Sequence, residues 1–286
     1  KEGPFEPRET GLLEEYRTPG RQNVTEGKLY TQRLHRFVEA EPTLDCYLNT
    51  HVTDVETSRQ KQKNIDAAVA LNVRSGQRMR FPCQLMIDCT GDSQPSVCSG
   101  AEVKQGKDAQ YEYDEPWAPK EADRHTMGSG LKYCPIDTGS DQTFVRPGWA
   151  YELEQCSDFH PLNHPLRLDE TAEKIAKQWT IELGGVRDTF ADAEEIRDDL
   201  FRLIFGIWDH LKNHCQKNRD LASTYDLAWV GYVAGKRENR RLIGDVVLTQ
   251  NDIINKTPFP DAVAYGAWSN DDHHSTGFFT EGETLG

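Results

Sequence analysis

The sequence contains no C-x-x-C pair, no apolar run long enough to span a bilayer and no G-x-G-x-x-G glycine fingerprint. These absences argue against zinc ribbons and iron–sulfur clusters, against a membrane span, and against a dinucleotide-binding strand–turn–helix within these residues. Basic charge is also short, with 33 Lys and Arg against 47 Asp and Glu, for a net charge of -14. The mean field therefore repels phosphate backbones, and nucleic acid is not an expected partner. The seven cysteines are odd in number and scattered, which does not suit a secreted disulfide framework, and most are expected as buried thiols. No basic-then-apolar leader precedes Lys1-Glu2-Gly3-Pro4, so the compartment, cytoplasmic or exported, is left open.

What is present indicates a folded enzyme-sized chain. Its 286 residues can bury one large core or two modest ones, and six Trp, ten Tyr and eleven Phe exceed what a disordered chain would carry. Mean hydropathy of -0.73 points to a polar surface. Residues 1–25, rich in Pro, Gly and charge, read as a surface loop or crossover. Leu29, Leu34, Phe37 and Val38 have helical spacing over 27–40. Strands are predicted over 44–48, 52–55, 67–73, 79–81 and 84–88, the last of them buried, with a hairpin tip at Ser75-Gly76-Gln77. Residues 106–165 are loop-rich, and two helices are predicted over 169–183 and 192–217. The second carries Ile196, Leu200, Leu203, Ile204, Ile207, Trp208 and Leu211 on one face and should be a core element. Strands at 227–233 and 242–249 and an apolar run at 262–265 complete the pattern.

Three clusters could carry chemistry. Ile87-Asp88-Cys89-Thr90-Gly91-Asp92 is an apolar run ending in a small polar turn, where a glycine lets backbone approach a nucleotide closely. On spacing alone, an ordinary turn with Asp92 capping a helix over 96–101 accounts for it as well. Lys236-Arg237-Glu238-Asn239-Arg240-Arg241 sets four cations around one carboxylate, suited to pyrophosphate or a carboxylate, or equally to a solvated basic turn. Trp268-Ser269-Asn270-Asp271-Asp272-His273-His274 combines acid and imidazole, the ingredients of proton transfer near neutral pH. Four potential metal ligands are adjacent there, but neighbours on an extended chain face opposite ways and cannot easily share one ion, so no metal is expected. His160-Pro161-Leu162-Asn163-His164 has zincin spacing without its Glu, and proline prevents the helix.

In order and spacing, a series of segments resembles the FAD-dependent oxidoreductase family of bacterial genomes, distantly related to the flavin subunit of heterodisulfide reductase. They include Arg8-Glu9-Thr10-Gly11, the 87–92 segment with Ser99-Gly100-Ala101, Met127-Gly128 and Pro147-Gly148-Trp149-Ala150. They continue through residues 206–213, Trp229-Val230-Gly231, Gly235-Lys236-Arg237-Glu238, residues 240–245, and Trp268 with Asp271 and His273. The chain departs from the family pattern at Asn239, where Ser is usual, and at Ser93, where Gly is usual.

The resemblance implies an α/β fold: an FAD/NAD(P)-binding Rossmann-like domain, incomplete at both its N- and C-terminal parts, with an inserted α+β substrate region. The implied division is 1–105 for the FAD-binding part with its β-meander and 106–286 for the substrate or cap region. It implies FAD, with Val52 offering backbone to the adenine and Thr90, Gly91 and Asp92 lining the nucleotide. Hydride would leave a small organic substrate, a sugar or polyol, for the flavin, with an electron acceptor the sequence does not identify. His273 would be the base, oriented by Asp271, while Arg237 and Arg240 stabilise developing negative charge. A non-catalytic binding module, or a metal-dependent hydrolase using Asp271 and His273, stands as the alternative.

Overall fold

The computed structural model describes residue 12 and residues 27–58, 64–159, 181–216, 219–264 and 273–280, with side chains from residue 31 onward in the second of these stretches. The expectations for 1–25, for 160–164 and for most of the helix over 169–183 lie outside them. Helix and strand are mixed, as an α/β chain requires, and no helix among the described residues is long and apolar enough to cross a membrane. The chain divides into two compact units, Lys1–Met86 with Asp261–Ser269, and Ile87–Pro260 with Asn270–Gly286.

In the first unit, helix α1 (Gly27–Glu39) precedes an antiparallel meander of β1 (Thr50–Thr57), β2 (Ile65–Asn72) and β3 (Arg78–Pro82), in spatial order β1-β2-β3. The expected hairpin tip is there: Asn72 Oδ1 accepts from the backbone N–H groups of Arg74 and Ser75, closing the turn between β2 and β3. Two expected strands are not formed. Residues 44–48 are irregular, with Leu44, Tyr47 and Leu48 about half exposed. Residues 84–88 are also irregular, and Leu85 and Ile87 are 80% and 79% exposed rather than buried. An apolar run specifies a strand only where a neighbouring ladder takes its N–H and C=O groups, and the described residues offer these none.

The second unit opens on two short helices, α2 (Gln94–Cys98) and α3 (Gln110–Tyr113), and is built on α4 (Ala193–Asp209), continued by a π-turn (His210–His214). All seven residues expected on its inner face are buried, Ile196, Leu200, Leu203, Ile204, Ile207, Trp208 and Leu211, because spacings of three and four keep them on one stripe. Leu131, Tyr133, Leu153, Phe159, Ile181, Leu183 and Phe278 close the core around them. Short antiparallel pairs surround this helix: β4 (Val103–Gln105) with β9 (Arg240–Leu242), β5 (Ser129–Gly130) with β7 (Glu182–Leu183), and β6 (Tyr133–Asp137) with β8 (Tyr225–Val230). The end of the helix expected over 169–183 is thus strand β7, and the strand expected at 242–249 stops at Leu242. Every strand pair among the described residues is antiparallel, so a doubly wound sheet has no parallel pair there to rest on. The cysteines also differ from expectation: only Cys215 is buried, while Cys46, Cys89, Cys134 and Cys156 are exposed.

Candidate functional site

Residues 88–98 form a turn organised by one carboxylate. Asp88 Oδ1 accepts from the Thr90 N–H and hydroxyl at 3.0 and 2.7 Å, and Oδ2 accepts from the Ser96 N–H and hydroxyl at 3.2 and 2.6 Å. Partial burial acts to raise the Asp88 pKa, but these hydrogen bonds from Ser96 and Thr90 prevail and hold it below the usual carboxylate range. The helix that follows, α2 (Gln94–Cys98), is preceded by Ser93 with φ 54, so Asp92 is not its cap. Asp92 is turned instead to Lys236, with which it forms a close ion pair. At Gly91, φ is +85, and a Cβ built there would meet nothing within 4 Å, so its backbone is open on that side.

The cations of 236–241 do not form one patch. Lys236 and Arg240 share Asp92 and Phe190, while Arg237 and Arg241 take separate carboxylates, because successive side chains of an extended segment depart in opposite directions. Arg240 donates from Nε to the Asp92 carbonyl at 2.8 Å and from a terminal nitrogen to Gln94 Oε1, and its guanidinium lies 4.0 Å from the Phe190 ring centroid. Lys236 also lies over Phe190, at 5.3 Å. Arg241 reaches Asp108 and the Gly106 carbonyl. Arg237 grips Glu182, with contacts of 2.6 and 3.2 Å to Oε1. A basic patch awaiting an anion is replaced by charge-matched clamps that fix the 88–98 turn, β4 and β7 relative to one another.

The sharpest constellation is Glu182, His273 and Arg237. Glu182, on β7, is 5% exposed, and its Oε2 lies 2.7 Å from His273 Nδ1. Arg237 also approaches Nδ1, at 3.2 Å, but the shorter contact decides the tautomer: Nδ1 carries hydrogen and donates to the carboxylate. Backbone pairing delivers these groups. Gly130 pairs with Glu182 on one side and with Gly235 on the other, so Arg237 is brought to β7 by a ladder two residues away. Gly277 seats the histidine segment, since φ is +59 and a Cβ there would fall 2.0 Å from the Glu182 carbonyl oxygen. Phe278 anchors the same segment in the core.

Of the residues expected at the site, the structure brings His273 to Arg237, and Asp92 to Arg240. Thr90 bonds within its own turn, Val52 sits on β1 in the other unit, and Asp271 lies outside the described residues. Sequence reasoning missed Glu182. Its signal was a lone acid inside the apolar run Ile181-Glu182-Leu183 ahead of a glycine pair. His274, one of the four adjacent potential metal ligands, has Nδ1 engaged with Thr276 of its own turn.

A buried carboxylate that orients an imidazole beside a guanidinium can assist proton transfer, and a glycine-opened turn gives a ligand close access to backbone. The chain belongs to the FAD dependent oxidoreductase family, whose model matches residues 6–285. No curated protein and no solved structure matches it. The family's cofactor is FAD. One observation fits such a group at the 90–92 turn, the open backbone at Gly91.

Proposed function

We propose that this FAD-dependent oxidoreductase takes hydride from a hydroxyl-bearing carbon of a small organic substrate, a sugar or polyol, with His273 as the base. FAD, when bound, supplies the two-electron acceptor. Thr90, Gly91 and Asp92 would hold it by backbone, as part of a Rossmann-like domain over 1–105, with 106–286 as the substrate region. The observation that carries the proton-transfer role is the Glu182–His273 contact of 2.7 Å. With Nδ1–H donated to Glu182, the substrate hydroxyl proton goes to Nε2, and the imidazolium that forms is stabilised by the buried carboxylate. Glu182 thereby fills the orienting role expected of Asp271. Arg237, bound to the same carboxylate, holds it in place and offsets its charge, and Arg240 keeps the 90–92 turn in position.

The test is the visible spectrum of the purified full-length protein, followed by anaerobic addition of a panel of sugars and polyols. Flavin bands that bleach with one class establish the reading. A colourless protein that cannot be reconstituted with FAD overturns it and favours a non-catalytic binding module. In the active enzyme, H273N should slow flavin reduction by about 10²–10⁴-fold. E182Q removes the charge that stabilises the imidazolium, so the acid limb of the pH–rate profile should move to lower pH. An unmoved limb would exclude Glu182 as the orienting group.

A further inference from the structure

A second chemical cluster lies in the core of the larger unit, away from the residues used above. His210 opens the π-turn at the end of α4, Cys215 follows that turn, and Cys156 begins a short 3-10 turn (Cys156–Asp158). His210 and Cys215 are both 0% exposed, whereas Cys156 is exposed and gives the cluster a solvent side. The imidazole nitrogen and the two sulfurs all lie within 4.8 Å of one another.

The backbone explains why residues five apart can share a site. In an α-helix, positions i and i+5 are about 140° apart around the axis. Here the Cys215 N–H donates to the His210 carbonyl at 2.7 Å, the i to i+5 bond of a π-turn, which rotates the two side chains toward the same side. His210 Nδ1 lies 2.7 Å from the Leu153 carbonyl, which fixes hydrogen on Nδ1 and leaves Nε2 as the ligating atom, 3.6 Å from Cys156 Sγ. A carbonyl behind a ligating histidine is the usual way such a ring is oriented. Zinc bonds of about 2.3 Å to sulfur and 2.0 Å to nitrogen, at a tetrahedral angle, place S and N about 3.5 Å apart, close to the separation seen. Phe159 packs against the ring at a centroid distance of 4.6 Å and walls the site on its buried side.

We propose that Cys156, His210 and Cys215 bind one zinc-type divalent ion through two thiolates and a neutral imidazole. On binding, each thiol gives up its proton to solvent, two protons for one ion. A water or small ligand reaching the ion past Cys156 completes the coordination. The donor set is soft, which selects zinc over magnesium or calcium. Tying the end of α4 to the 156–158 turn, the ion would staple the core of the unit.

The experiment is metal analysis of the full-length protein, reduced and kept anaerobic, followed by replacement of zinc with Co²⁺. Cobalt-minus-zinc difference spectra cancel any flavin absorption, so the result does not depend on whether the flavin reading holds. The expected outcome is one zinc per chain, with a thiolate-to-cobalt charge-transfer band in the near ultraviolet. C156S, at an exposed position that the fold tolerates, should lower zinc affinity by at least about 100-fold. C46S, in the other unit, should leave it unchanged. Absence of the charge-transfer band, wild-type zinc affinity in C156S, or a Cys156–Cys215 disulfide found by peptide mapping of the protein as purified would each overturn the proposal.

Discussion

The two units of this chain solve the problem of burial differently. In the larger, a single long helix presents a stripe of large side chains, and Leu200, Leu203, Ile204, Ile207, Trp208 and Leu211 are each at most 2% exposed. In the smaller, the described buried residues are Val55, Ala67 and Ala70, two of them alanines on the central strand of a meander. Apolar burial contributes roughly in proportion to area, so the helix-centred unit derives its stability from side chains and the meander from ladder hydrogen bonds and small cross-strand contacts. The chemistry follows the same division. The clamps and the oriented histidine all belong to the unit with the deep core, where rigid surroundings can hold a carboxylate and an imidazole in one geometry.

The largest test of this contrast is Leu203→Ala. A fully buried leucine on α4 should cost about 3–5 kcal/mol in a denaturant or thermal melt, because the surrounding helix and short strands cannot collapse into the void. Lys212→Met comes next. Lys212 is 7% exposed, and its ammonium donates to the carbonyls of Ala222, Ser223 and Tyr225, each at 2.8 Å, capping α5 (Arg219–Ala222). Removing it takes a donor from three carbonyls, of which that of Ser223 keeps the Gln142 N–H, for an expected loss of about 2–4 kcal/mol. Val55→Ala in the meander should cost only about 1–2 kcal/mol, two methyl groups' worth of burial. If Val55→Ala proved as costly as Leu203→Ala, the contrast between the units would be wrong.

Asp88→Asn probes polar rather than apolar order, with an expected loss of about 1 kcal/mol at neutral pH. The Asp88 pKa is lower in the folded protein than its ordinary value. Its contribution is therefore fully present above the ordinary aspartate pKa and is lost as pH falls through the lower folded value. The gap in stability between wild type and Asp88→Asn should narrow on acidification. A gap that widens would mean that the carboxylate is not accepting these bonds.

How much of this was legible in the sequence depended on range. The apolar stripe of α4 was readable because helical periodicity is local, and so was the hairpin tip at 75–77, where Asn72 and the turn residues are neighbours. The basic character of 236–241 was visible, but not its use. Arg237 meets a carboxylate 55 residues away and Lys236 one 144 residues away, separations no spacing rule reaches. The π-turn was equally hidden, since nothing in His-Leu-Lys-Asn-His distinguishes it from a continuing helix. That turn is what makes His210 and Cys215 neighbours of Cys156, so a search for C-x-x-C spacing could not have found them.

The smallest expected effect concerns the run that periodicity misjudged. Leu85 and Ile87 have the sequence character of a buried strand and the exposure of a loop, 80% and 79%. Replacing an exposed side chain removes little burial, so Leu85→Ser and Ile87→Ser should each change the stability of the chain by less than about 0.5 kcal/mol. The same substitutions should lower the tendency to self-associate, because two neighbouring exposed aliphatic side chains on an irregular segment offer an adhesive surface. Melts of both variants, with light scattering, check the two effects together. A loss of 2 kcal/mol or more, on the order of a buried leucine, would mean that these side chains are covered in the folded protein after all. In that case periodicity had read the segment correctly, and the difference between a chain's apolar pattern and its exposed surface would mark where that cover sits.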